Sequence, residues 1–65
     1  MSEVKERVIK EYEELEIKHN KLSKFMQTEA FTKIPTLQQV LLVNQSEAML
    51  LYLNILYQRI KLWQD

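Results

Sequence analysis

At 65 residues this chain is one domain at most, and a domain of that size buries only ~60% of the surface its unfolded form exposes, so chains like it often need a staple or a partner. Cysteine is absent and His19 is the lone histidine, which excludes disulfides and cysteine-based zinc sites and leaves little metal-ligand inventory beyond carboxylates. Nine basic and nine acidic residues cancel to zero, without the basic surplus by which nucleic-acid binders release counterions from phosphate.

Glycine is missing and Pro35 is the single proline, so little material exists for β-turns or flexible linkers. The composition predicts an all-α chain. The first segment, Met1 to Lys10, is charged and lacks the apolar stretch of a secretory signal. The most apolar run, Val40 to Tyr57, is interrupted by Asn44, Gln45, Ser46 and Glu47 and falls short of the ~20 predominantly apolar residues of a membrane span. The expectation is a cytoplasmic protein with no membrane contact.

Helix one is predicted over about residues 2–26, with Ser2 as N-cap and Glu3 and Glu6 near the positive end of the helix dipole. Val4, Val8, Tyr12, Leu15, His19, Leu22 and Met26 recur at steps of four and three, which puts them on one face. Lys5, Glu6, Lys10, Glu13, Glu14 and Lys21 form the opposite, solvated side. Ile9 and Ile17 fall off the stripe.

A connection follows over residues 27–35, in which Thr28 to Phe31 can form one short helical turn, with Phe31 and Ile34 plugging the end of the bundle. Pro35 disfavours helix at Ile34 and marks a boundary. Thr36-Leu37-Gln38-Gln39 reads as a capping box, and helix two runs from there over about residues 36–64. At 1.5 Å per residue both long helices measure ~37–42 Å, so an antiparallel hairpin is expected, with Met26 near Leu37, Leu15 near Ala48 and Val8 near Ile55.

Helix two is too apolar for a hairpin alone. Leu41, Ala48, Ile55 and Leu62 recur every seven residues, and Leu42, Met49, Leu56 and Trp63 form a second series one position along. Asn44, Glu47, Asn54, Gln58, Lys61 and Asp65 form a polar strip along it. A surface helix needs an apolar stripe of little more than ~100°. The expectation is that helix one covers the Leu41 series. Leu42, Met49, Leu53, Leu56, Ile60 and Trp63 are left for self-association, in a dimeric four-helix bundle or a larger oligomer.

Catalytic residues are not expected. Glu16-Ile17-Lys18-His19 has the spacing of a di-metal motif, but helix two supplies only Glu47 to complete it, so no metal and no cofactor are expected. His19, on the apolar face, is read as hydrogen-bonded to Asn44 or Gln45. Gln45, Tyr52 and Arg59 repeat every seven residues and can fix register or hold a small ligand. Tyr57, Arg59, Lys61 and Trp63, with Phe31 at the turn, are of the residue types that dominate binding surfaces.

The run from Lys24 to Ile34, followed by Gln39, Leu41-Leu42, Gln45, Ala48-Met49, Tyr52, Ile55-Leu56 and Arg59-Ile60, resembles a family of very short phage-encoded helical-hairpin proteins related to a crAss-like phage protein. The similarity spans about Val8 to Leu62. Pro35 stands where that family usually has serine, and Val43-Asn44 replaces a charged pair. The resemblance implies phage or prophage origin, an infected or lysogenic host cytoplasm, and no catalytic residue. Three roles remain open. One is a self-associating protein that binds and inhibits a host factor, such as a defence component. The second is an oligomeric sponge that sequesters a small anionic signalling nucleotide between Gln45, Tyr52 and Arg59. The third is a structural or assembly scaffold.

Overall fold

The computed structural model describes residues 3–63 and is built of helices: α1 (Glu3–Met26), α2 (Glu29–Lys33) and α3 (Thr36–Leu62). The expected Ser2 cap, and the Gln64 and Asp65 end of helix two, lie outside the described residues. The connection carries the short helical turn that its sequence allowed, one position later than Thr28.

Each break has a local cause. At the end of α1 the amides of Gln27 and Thr28 reach back three residues, to the carbonyls of Lys24 and Phe25 at 3.1 and 3.0 Å. The Thr28 hydroxyl also donates to the Phe25 carbonyl, at 2.6 Å, so it closes α1 rather than capping α2. After α2, Ile34 is extended, with φ −79° and ψ 159°. That is the conformation a following proline imposes.

The expected capping box at Thr36 does not form. Pro35 is the N-cap, so Thr36 is already the first helical residue. The Gln39 amide is taken by the Pro35 carbonyl, at 3.1 Å, and is lost to the Thr36 hydroxyl. The Gln39 side chain turns back instead and donates to the carbonyls of Ile34 and Thr32, at 2.9 and 3.3 Å. It thereby satisfies the end of α2 rather than the start of α3. Phe31 and Ile34 are half-buried at this end, as expected, and Phe31 packs edge-to-face on Phe25 with ring centroids 6.0 Å apart.

α1 and α3 run antiparallel. Their register is marked by Tyr52 opposite Glu11 and Ser46 opposite His19. Stepping four residues along each helix from the first pair brings Leu15 level with Ala48, as the lengths predicted. α1 presents Val8 buried and Tyr12, Leu15, His19, Leu22 and Met26 half-buried; Val4, at 42% exposed, drops off the end of the stripe. Ile17 is exposed, as its position requires, whereas Ile9 is half-buried.

The face of α3 differs from the expectation. Gln39, Leu42, Ser46, Met49, Leu53, Leu56, Ile60 and Trp63 are buried or half-buried, at alternating steps of three and four. The Leu41 series is the exposed one, with Leu41 at 51%, Ile55 at 48% and Leu62 at 77%. The residues assigned to self-association therefore face α1 of their own chain. Adjacent positions point ~100° apart on a helix, so a one-residue difference in phase exchanges the two faces.

The outcome is a thin rod of 48 × 15 × 13 Å with a radius of gyration of 14.9 Å. A compact chain of this length would have a radius of ~11 Å. Its surface is 5210 Å², against ~4,400 Å² for a compact monomer of this mass. Val8, Leu53 and Leu56 are the buried apolar side chains among the described residues, and of these Leu56 is fully buried. By length and composition alone α3 is apolar enough to cross a membrane. Its consecutive Asn44, Gln45, Ser46 and Glu47 disfavour hydrocarbon, because a polar group without a partner there costs several kcal/mol.

Leu56 is 0% exposed. Truncating it to alanine is expected to cost ~2–5 kcal/mol, enough to unfold most of so small a chain. Ile17→Ala, at an exposed site, should stay within ~0.5 kcal/mol of the parent. Urea denaturation followed by circular dichroism compares the two.

Candidate functional site: a groove along one flank of the hairpin

Because only a line of side chains joins α1 to α3, the rod has two flanks that differ in chemistry. On one flank the helices part into a groove of about 870 Å³, largely open to solvent. α1 contributes Tyr12, Glu16, His19 and Asn20, and α3 contributes Glu47, Leu50, Leu51, Leu53, Asn54 and Tyr57. On each helix these positions follow three- and four-residue steps, so they belong to one side.

Tyr12 and Tyr57 lie across the hairpin from one another, with ring centroids 6.4 Å apart and planes tilted by 41°. Lys61, one turn beyond Tyr57, places its ammonium 5.6 Å from the Tyr57 ring centroid, a cation–π contact. Nearer the middle, His19 Nε2 and the Ser46 hydroxyl are 3.2 Å apart. Ser46 is one position beyond the Asn44 or Gln45 expected for His19, again because α3 is turned further about its axis. This pair ties a polar residue of the α3 seam to the imidazole that lines the groove. Glu16 and Glu47 place two carboxylates along the groove, and Asn20 and Asn54 add two amides. Among the described residues no group of histidines and carboxylates is arranged to hold a metal.

The opposite flank holds the polar-aromatic line Gln45, Tyr52 and Arg59. All three are exposed. The Tyr52 hydroxyl donates to a carboxylate oxygen of Glu11. That bond, with a small share of burial and the charge of Glu11, raises the Tyr52 phenol above its ordinary pKa of 10.0, while the Arg59 charge pulls the other way. Gln45 sits within 4.0 Å of the Met49 sulfur. The three share a flank as their spacing predicted, but it is the flank without the groove, and Tyr52 is engaged by α1.

The expected partner-binding residues do not form one patch. Tyr57 and Lys61 lie on the groove flank, Arg59 on the other, Trp63 half-buried in the seam, and Phe31 at the far end of the rod against Phe25. Sequence reasoning missed Glu16, Asn20, Leu51 and Asn54 as site residues. Once the register and the phase of α3 are known, the runs Tyr12-Glu16-Asn20 and Glu47-Leu51-Asn54 identify them by helical spacing.

The groove offers aromatic faces, amide donors and acceptors, and a cation at one end. It can grip a flat, hydrogen-bonding molecule. Its two carboxylates repel an anion from the middle and leave the Lys61 end for negative charge.

Residues 2–62 match the family model described as Sequestin. No curated protein and no solved structure matches the chain.

The Tyr52–Glu11 bond has a pH signature. A raised folded-state pKa means that the bond stabilises the hairpin below the unfolded phenol's pKa of ~10 and is lost as pH rises through the higher folded value. Tyr52→Phe should therefore lower the melting temperature by a constant amount from neutral pH to about pH 9, and the gap should close at more alkaline pH. Thermal melts of both proteins across that range measure the difference.

Proposed function

This chain belongs to the Sequestin family, and from that premise we propose that it is a non-enzymatic sequestering protein, a sponge that removes a small anionic signalling nucleotide from solution. The family description suggests retention of a ligand rather than turnover. The observation that carries the reading to a small molecule is the groove. Its 870 Å³ falls in the range of small-molecule sites, ~300–1,000 Å³.

In this reading a nucleobase lies against the Tyr12 and Tyr57 rings, where stacking is tolerant of base identity. The amides of Asn20 and Asn54 meet its hydrogen-bonding edge. The phosphate lies toward Lys61, away from Glu16 and Glu47. The polar line of Gln45, Tyr52 and Arg59 is on the wrong flank for this role. Phage origin, a host-cell cytoplasm and interference with host defence are part of the proposal, and the resemblance to short phage hairpins supports them. A second reading, inhibition of a host protein by direct binding, is favoured by the 70% exposure of Leu37 and the 77% exposure of Leu62. It predicts a stable protein complex in place of a bound small molecule.

Base stacking on an aromatic side chain contributes ~1–3 kcal/mol by alanine substitution, so Tyr57→Ala should weaken nucleotide binding roughly 5- to 150-fold. Tyr57 is 47% exposed, so the variant is expected to keep its helical circular dichroism. Calorimetric titration with a panel of linear and cyclic purine nucleotides measures the affinity. Native mass spectrometry of protein recovered from infected cells shows whether it carries such a ligand; protein recovered without any nucleotide would sink the sponge.

A further inference from the structure

The outward side of α3 is a continuous apolar surface that no other part of the chain covers. Leu41, Ala48, Ile55 and Leu62 form one line along its whole length, and all four are exposed. Leu37 and Leu51, 70% and 62% exposed, widen it. We infer that this face binds a second copy of the chain, antiparallel, through an α3–α3 contact about a two-fold axis between Leu51 and Tyr52.

Three observations select that occupant. The first is length. The Leu41 to Leu62 line runs ~32 Å along α3 at 1.5 Å per residue, so an antiparallel copy is met along most of the helix. The second is charge. α3 carries Glu47, Arg59 and Lys61 and no other charged residue. Glu47 and Lys61 point ~100° away from the Leu41 line, which leaves Arg59 alone at its margin. Charge-poor centres with an arginine at the edge characterise protein interfaces.

The third is self-complementarity. An isologous contact pairs each residue with its image. With the axis between Leu51 and Tyr52, Leu41 meets Leu62 of the partner subunit at both ends, and Ala48 meets Ile55 of the partner subunit nearer the centre. A small side chain therefore faces a β-branched one, and Arg59 falls beside Asn44 of the partner subunit. A parallel dimer would instead set Arg59 against its own image, small Ala48 against Ala48, and Ile55 against Ile55. The interrupting Asn44 to Glu47 segment disfavours lipid as the occupant. The two α3 helices form the middle of a four-helix layer with each α1 outside. The expected four-helix assembly is retained, but through the Leu41 line and not the Leu42 seam.

The groove lies on the other side of α3 and shares only Leu51 with this margin, so the dimer leaves two grooves open, one per chain. The inference does not rest on the nucleotide reading. Loss of ligand binding leaves the dimer intact.

The absence of cysteine from the chain allows a clean test. Ala48→Cys and Ile55→Cys are prepared separately, checked for helical circular dichroism, and oxidised alone and as a mixture. A disulfide needs Cα atoms ~4.4–6.8 Å apart. The antiparallel dimer predicts linked dimers in the mixture at several-fold higher yield than in either single variant. It also predicts that Leu41→Glu combined with Leu62→Glu weakens self-association at least tenfold by light scattering, while helicity is kept. Equal or better linking of Ala48→Cys to itself would overturn the antiparallel arrangement. A wild-type protein that stays monomeric across a micromolar to millimolar series would overturn the dimer. Co-flotation of that monomer with phosphatidylglycerol vesicles would assign the face to lipid instead.

Discussion

A long helix can turn only one line of side chains toward a single neighbour, and everything else in this protein depends on which line α3 turns. That line is Gln39, Leu42, Ser46, Met49, Leu53, Leu56, Ile60 and Trp63. It places Leu56 wholly out of water against α1, and it sets Ser46 beside His19. Two polar residues within it, Gln39 and Ser46, are accommodated because each has a partner: the carbonyls that end α2, and the imidazole of α1. Buried or half-buried polar groups that keep a partner avoid the desolvation penalty and fix the alignment at the same time.

Once that line is occupied, the rest of α3 divides by geometry. Leu50 and Tyr57 fall to one side and, with Tyr12, Glu16, His19 and Asn20, make the groove. Tyr52 falls to the other and holds Glu11. The Leu41 line points away from α1 and leaves the rod with more apolar surface than so small a chain is expected to leave wet. The same rotation that builds the candidate ligand site thus bares the apolar face proposed above to receive a second copy. The groove and that face lie on different sides of one helix and share Leu51.

Much of this was legible in the residues. α1 alternates charged and apolar positions so regularly that Val8, Tyr12, Leu15, His19, Leu22 and Met26 identify its inner face. Pro35 and the extended Ile34 before it locate the second break. Matched helix lengths gave the antiparallel register. The phase of α3 was not legible, because apolar residues lie on nearly every side of it and its periodicity singles out no face. Gln39 and Ser46 added to the difficulty by placing polar residues on the inner line, whereas the Leu41 line contains none. The capping box failed for a related reason. Pro35 can itself serve as the N-cap, which moves the helix start by one residue and sends Gln39 to α2. The groove needed both register and phase, so Asn20 and Asn54 could not be singled out beforehand.

The rotational setting of α3 is open to direct measurement. In a ¹³C-methyl-labelled sample at low concentration, nuclear Overhauser contacts between α1 and α3 identify the facing line. The structure, in which Val8, Leu53 and Leu56 are each buried and Ile55 is exposed, predicts contacts from the Val8 methyls to Leu53 or Leu56 and none to Ile55. Contacts from Val8 to Ile55, with Leu56 methyls free of α1, would turn the helix by one residue and contradict the account.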